Sequence, residues 1–520
     1  MGTRPQHRPP DDLADGDTLR ALLQHRVLLS PDAPMWIDEH DRRLTFVEFL
    51  SWSERVAAGL HDLGIREGTA VSWQLPNKLE TAVFSMALSR LGAVQNPIIA
   101  LYREREVGAL LRISEARWFA TPGVWRGFDY AAMGEQLAAG LDHRCDVLDC
   151  SGLLPVGDPA VLPPATTDGD VVRWLYATSG TTSLPKAVRH TDGTLLAGGY
   201  GMAAATDFTP AEVGCVPFPY AHIGGPDNLI MQLRIGFSAL LLEAFVPDQA
   251  VEMMRRYEVT TLGGSTAHYQ AVLQAQRCTP GEPILPSLRT LVGGGAPKPP
   301  ELFWQLKREI GVEIRHGYGM TECPMIAVGA PGDTDEELAN TDGRPVLGCE
   351  VRILDGDDQP VAAGVDGDIV VRGPMLMKGY TDASANAVSF LPDGFFRTGD
   401  RGHLRATGHV VLTGRSKDMI IRKGENLSPR EIEDVLAAHP SIGAVAVIGL
   451  PDAERGERIC AVIELRPGAA SLGLQDVRQI CRDAGLMMQK TPEQLEIVDV
   501  MPRNPTMKVL KRELVERFRN

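Results

Sequence analysis

Between about residues 18 and 300, short apolar runs of strand length alternate with stretches of helical period. Residues 70–74, 94–99, 213–217, 239–242 and 290–292 read as strands. Thr45-Phe-Val-Glu48 reads as a capping box and predicts a helix running to about Leu63-Gly64. This alternation predicts an α/β fold with layered helices and strands. From about Gly343 to Gly414 the texture changes. Segments 350–354, 367–371 and 409–413 are short strands set off by Asp-Gly and Thr-Gly turns, which predicts a β-barrel-like subdomain. A separate strand and helix pattern begins near Ser416. In it, Ser428-Pro-Arg-Glu431 predicts a helix start with Ser428 as cap, and Pro440 stops the helix. The expected organisation is a disordered lead at 1–17, a large multi-layer α/β domain at 18–414, a hinge at 415–417 and a small mobile α+β domain at 418–520.

Charge narrows the classes of function. The chain has 52 basic and 67 acidic residues, 52 − 67 = −15, and a phosphate-tracking nucleic-acid binder wants a basic face. The longest uncharged stretch, 259–276, is broken by Thr, Ser, Gln, His and Gly, so no integral membrane span is expected. The eight cysteines include no CxxC pair, which points to neither a zinc site nor a disulfide framework and fits a reduced, cytoplasmic protein. Only ten of the basic residues are lysines, so the positions that keep one carry weight.

Four segments carry candidate chemistry. Tyr176-Ala-Thr-Ser-Gly-Thr-Thr-Ser-Leu-Pro-Lys186 gathers hydroxyls, a glycine and a lysine suited to phosphate oxygens, without the spacing of a P-loop; a polar surface loop would look similar. Gly293-Gly-Gly-Ala-Pro297 allows close approach of a flat ligand, or a tight turn. In His316-Gly-Tyr-Gly-Met-Thr-Glu322, Tyr318 could stack on a base, Thr321 bind phosphate and Glu322 hold Mg²⁺. In Phe396-Arg-Thr-Gly-Asp400 an aspartate following a turn could accept both hydroxyls of a ribose. A fifth segment, 414–426, places charges on both sides of a short apolar strand where the composition changes, as a hinge would.

Together and in this order, these segments resemble the adenylate-forming superfamily of acyl-CoA synthetases, peptide-synthetase adenylation domains and luciferases. The resemblance runs from about residue 20 to Pro502-Arg-Asn-Pro-Thr-Met-Lys508. It implies a two-step activity: a carboxylate attacks the α-phosphate of MgATP, and the acyl-adenylate then passes its acyl group to the thiol of CoA. It implies that Thr178, Ser179, Gly180, Thr181, Thr182 and Lys186 hold the triphosphate, that Gly295, Ala296, Pro297, His316, Gly317, Tyr318, Gly319 and Thr321 surround the nucleotide, and that Asp400 and Arg415 bind ribose. Glu322 would bind Mg²⁺, Lys508 would bridge carboxylate and α-phosphate, and Thr178, Glu322, His222 and Lys508 form the catalytic set. His222, Gly224, Gly264, Thr266, Gly294 and Met320 would line the acyl pocket, with a core histidine as the other reading of His222. Lys423, Gly424 and Glu425 would meet CoA, and Lys417 would be the pivot.

Ser183 and Ala187 stand where the family has glycine, as does Met507 beside the catalytic lysine. The glycines around the acyl segment predict room for a bulky or extended apolar acid. Pro219 and Tyr220, where amino-acid-activating members carry an aspartate, argue against an amino acid. The expected function is a ligase joining a hydrophobic carboxylic acid to CoA. The alternatives are an acyl-AMP ligase that loads a carrier protein and, more remotely, a non-catalytic nucleotide-binding protein. The oligomeric state, a homodimer included, stays open.

Overall fold

The computed structural model describes residues 18–178, 186–422, 425–452, 455–504 and 507–519; the expected lead at 1–17 lies outside the described residues. A six-stranded sheet runs Lys186–Thr191, Val172–Thr178, Val94–Pro97, Ala70–Trp73, Trp118–Thr121 and Asp146–Asp149 in spatial order, parallel except for its first pair. A nine-stranded sheet has a parallel centre that includes Thr261–Gly264, Thr290–Gly294 and Glu313–Met320 side by side. Their carboxyl ends share one edge, where open α/β sheets present ligands. The Thr45 hydroxyl accepts the Glu48 N–H and Glu48 accepts the Thr45 N–H, so the predicted capping box opens the helix Phe46–Asp62. That helix buries Phe46 and Phe49 in a core shared with Trp36, Trp73 and Phe84. Polar chain between these elements turns outward, and the apolar runs meet inside.

The third sheet is antiparallel: Glu350–Leu354, Gly367–Arg372, Phe396–Leu404 and Val410–Arg415. One expectation changes here. Asp400 does not follow a loop turn; it lies inside the nine-residue strand Phe396–Leu404, opposite Arg415 on the next strand. Gly399, with φ of +75°, makes the local kink that the sequence suggested as a turn.

The small domain has its own sheet of Glu425–Leu427, Ile420–Arg422, Gly456–Leu465 and Ile442–Asp452, with Gln494–Val498 alongside. Its core gathers Ile432, Leu436, Val447, Ile459 and Val477. The helix Pro429–Ala437 starts where the sequence put it and ends before Pro440. The Ser428 hydroxyl, however, donates to the carbonyl of Thr413 in the large domain rather than accepting from its own helix. The short apolar strand expected within 414–426 is Ile420–Arg422, and a turn precedes it. Residues 416–418 form a turn closed by the Asp418 N–H on the Arg415 carbonyl, 3.0 Å, with Lys417 inside it. Among the described residues no helix is long and apolar enough to cross a membrane.

Candidate active site

A cleft of about 1030 Å³ separates the large domain from the small one. Gly295, Ala296, Pro297, His316, Gly317, Tyr318 and Gly319 line it from the ends of the parallel strands; Asp400 and Arg415 come from the antiparallel sheet, and Lys417 and Lys508 from the segments beyond. Segments that lie far apart in sequence therefore converge on one opening. Gly295 has φ of +83° and a side that faces open space, so the chain turns there beside the cleft.

The neighbouring glycines have a different cause from the expected one. A Cβ on Gly293 would overlap the carbonyl oxygen of Gly264, one on Gly294 that of Gly317, and one on Gly319 that of Pro324. These residues let backbones approach each other. At Gly224 and Gly263 the adjacent space holds the ring of Phe218. Of the expected acyl-pocket residues, the cleft lining includes Thr266 and omits His222, Gly224, Gly264, Gly294 and Met320. The His222 Nδ1 accepts the N–H of Gly224 at 3.3 Å, and burial pushes its imidazole down to about 4, so the ring is neutral.

Asp400 organises the cleft floor. Its Oδ2 accepts the Tyr318 hydroxyl at 2.8 Å, and its Oδ1 accepts the Nε–H of Arg415 at 3.1 Å. Its own N–H donates to the Thr398 hydroxyl at 3.1 Å. The carboxylate is thus held in one orientation by two side chains that also line the cleft.

Glu322 lies in the turn between the strands Glu313–Met320 and Cys323–Val328 and is buried. Its Oε1 accepts the hydroxyl of Tyr380 at 2.7 Å, and burial raises its carboxyl above the usual range. The ammonium of Lys186 stands 5.1 Å from the centre of the Tyr380 ring. Thr178 and Lys186 face each other across the two strands; Ser179, Gly180, Thr181 and Thr182 lie outside the described residues. Neither Tyr380 nor His190 was among the sequence candidates. His190 is fully buried and bonds the Thr321 carbonyl through Nε2 at 2.7 Å. Facing a carbonyl, that nitrogen must carry the proton. Both residues sit dozens of positions or more from the groups they steady, so no local spacing marks them.

Lys508 enters the cleft from the small domain. Burial, and then the charge of Arg415, push its ammonium down to about 8, while Asp400 pulls the other way. Its N–H donates to Asn504 Oδ1 at 2.8 Å, and the Asn504 N–H returns a bond to its carbonyl. Met507 has φ of +66° between them. A side chain in that left-handed region is strained, and a glycine would not be. Met507→Gly is expected to stabilise the small domain by about 0.5–1 kcal/mol, after the glycine's larger unfolded-state entropy is counted. A higher urea midpoint would register this; an unchanged or lower one would mean that the methionine holds the loop by contact. Lys423 and Gly424 lie outside the described residues, as does the side chain of Glu425, which opens the strand Glu425–Leu427.

Residues 23–381 match the family described as AMP-binding enzyme, and residues 431–508 match the AMP-binding enzyme C-terminal domain. The chain belongs to this family. Over 97% of its length it is 32% identical to a salicyl-AMP ligase / salicyl-S-ArCP synthetase of Mycobacterium tuberculosis, covering 91% of that protein. It is 31% identical to a 2-hydroxy-7-methoxy-5-methyl-1-naphthoate–CoA ligase of Streptomyces carzinostaticus, covering 97% of this chain and 95% of that one. The fold superposes on ATP-bound MatB from Rhodopseudomonas palustris with a TM-score of 0.86 and 26% identity, over 96% and 99% of the two chains. The protein is an acid-thiol ligase of the adenylate-forming superfamily, with the large and small domains that the sequence implied.

Proposed function

We propose that the enzyme activates an aromatic or similarly bulky apolar carboxylic acid and transfers it to CoA. The observation that carries this reading is the meeting of Asp400, Arg415, Tyr318 and Lys508 in one cleft. Asp400, held from both sides, has lone pairs left to accept ribose hydroxyls, with Arg415 beside it. Gly295, Ala296, Pro297 and Tyr318 form the adjacent wall for the base. Thr178 and Lys186, paired across neighbouring strands, would offer a hydroxyl and an ammonium to triphosphate oxygens.

In the first step a carboxylate oxygen of the acid attacks the α-phosphorus of ATP. The bond from that phosphorus to the bridging oxygen breaks, and pyrophosphate leaves. The Lys508 ammonium offsets the negative charge shared by the carboxylate and the α-phosphate as they approach. In the second step a thiolate sulfur attacks the acyl carbon and AMP leaves with the C–O electron pair. Glu322 fits a divalent cation: it is a buried oxygen donor fixed by Tyr380, and burial disfavours its uncompensated charge. Mg²⁺ bound there would neutralise triphosphate oxygens.

The acid class rests on the relatives, whose names specify salicylate and a substituted naphthoate. Carrier-protein loading is the second reading, favoured by the relative named as a salicyl-S-ArCP synthetase. A panel of benzoates, naphthoates and alkanoates, assayed for ATP-dependent AMP release with CoA and separately with a phosphopantetheinylated carrier protein, tests both. AMP release with an aryl acid and CoA supports the proposal. Release only with the carrier supports the second reading, and no release with any acid overturns both.

The charge of Lys508 also sets a pH dependence. The ammonium is the active form, and it is present below its depressed pKa of about 8. The kcat/KM for pyrophosphate release is therefore expected to fall as pH rises through about 8, well before a free lysine would titrate. A rate that stays flat to pH 10 would show that the charge on Lys508 is not needed.

A further inference from the structure

The helix Pro429–Ala437 touches three parts of the molecule at once. At its start, Ser428 bonds the Thr413 carbonyl of the large domain. Within its first turn, Arg430 reaches the buried carboxylate of Asp342, 3.7 Å away, also in the large domain. From the next turn Glu433 takes the ammonium of Lys511 at 2.7 Å and the N–H of Val447 at 2.7 Å. Lys511 opens the helix that follows the Lys508 loop. One helix thus ties the large domain to the segment carrying the catalytic lysine.

We propose that Arg430 is a positioning residue for adenylation: its pairing with Asp342 docks the helix Pro429–Ala437 on the large domain and so keeps Lys508 inside the cleft. This rests on the adenylate-forming reading above.

The surroundings of Asp342 explain why Arg430 matters there. Asp342 is 1% exposed. Its Oδ2 accepts the Leu412 N–H at 2.9 Å, and its Oδ1 has His316 Nε2 3.9 Å away. Burial pushes His316 down to about 3, so it is neutral at physiological pH. The nearby Lys298, which donates to the Ala339 carbonyl, is pushed down to about 8. Arg430 is the neighbour whose charge is permanent. From its own helix, Asp434 stands 3.8 Å from Arg430 Nε, and its carboxyl is raised to about 6 by burial. A buried carboxylate that loses its cation is strongly destabilised. Undocking would separate the pair, so the pair favours the orientation with Lys508 inward. An enzyme in that orientation only part of the time loses adenylation rate in proportion.

The test separates the half-reactions, using the first acid that supports AMP release by the wild-type enzyme. Arg430→Met is expected to slow pyrophosphate release by about tenfold or more while changing thioester formation from supplied acyl-adenylate by less than about twofold. Hydrogen exchange of the amides in 429–437 should rise in the same variant, whether or not an acid has been found. Equal losses in both half-reactions would mean that Arg430 acts on the bound nucleotide or on folding, and would overturn the proposal; so would an unchanged rate of adenylation or unchanged exchange. Arg430→Lys, which keeps a cation, should recover most of the rate, and Arg430→Gln should show the same split if Arg430→Met does not fold. The double variant Arg430→Met/Asp342→Asn strands no charge and should lose less than the product of the two single losses. A simple product would show that the two residues act independently. A wild-type enzyme that forms no adenylate, yet shows the exchange change in Arg430→Met, would remove the proposed function and leave the docking role standing.

Discussion

Lys508→Ala should abolish most adenylation and spare most thioester formation. In the cleft the Lys508 ammonium is the charge that the small domain delivers toward Asp400 and Arg415. An ammonium held in a partly desolvated cleft is worth more than one in water, and it needs no reorganisation when charge develops. Removing one such group typically costs roughly 10²–10³ in rate, or about 3–4 kcal/mol. That loss should appear in pyrophosphate release. In the second half-reaction the acyl-phosphate bond already exists, and the step depends on admitting a thiol. Supplied acyl-adenylate should therefore still yield thioester at close to the wild-type rate. A comparable loss in both steps would mean that Lys508 remains in the cleft throughout, and the small domain would not move about the expected hinge at 415–417 between the steps.

The order of strands and helices was legible because apolar runs of strand length and helical periods are local signals. The capping box at Thr45 and Glu48 and the start at Ser428 and Pro429 fall where the sequence placed them. The segments around Thr178, Tyr318 and Asp400 stood out because hydroxyls, glycines and charges cluster at short spacing, whereas Lys508 stood out only through the resemblance to the family. What joins them was not legible. Tyr380 fixes Glu322 from 58 residues away, and Asp342 pairs with Arg430 across the domain boundary; only folding makes them neighbours. The glycine-rich segments were ambiguous for a physical reason. A glycine that admits a ligand and one that admits another backbone look alike in sequence, and Gly293, Gly294 and Gly319 are of the second kind. The strand through Asp400 was hidden by Gly399, whose positive φ bends the chain without ending the pairing. Lys417 lies in a turn rather than a strand, so a rotation proposed at 415–417 would begin from a corner of the chain.

Asp400→Asn should have the second largest effect, and a revealing one. The substitution keeps the shape but removes the charge that two oxygens share between Tyr318 and Arg415. On the proposed ribose role, the charge-assisted bonds to the nucleotide become neutral ones. The amide must also turn an NH₂ toward either the Arg415 guanidinium, where two donors oppose each other, or the Tyr318 hydroxyl. Losing hydrogen bonds to a charged group costs about 1.5–3 kcal/mol, so kcat/KM for ATP should fall by roughly 10- to 150-fold. A second effect follows from electrostatics alone. Asp400 raises the pKa of Lys508 against burial and Arg415. Without that carboxylate the Lys508 ammonium gives up its proton at a lower pH. The alkaline fall in pyrophosphate release should therefore move below the wild-type midpoint of about 8, so that the variant looks most impaired at high pH and partly recovers in acid. A uniform loss at every pH, with the midpoint unmoved, would place Lys508 beyond the field of Asp400 in the working enzyme and would leave burial and Arg415 to set its charge.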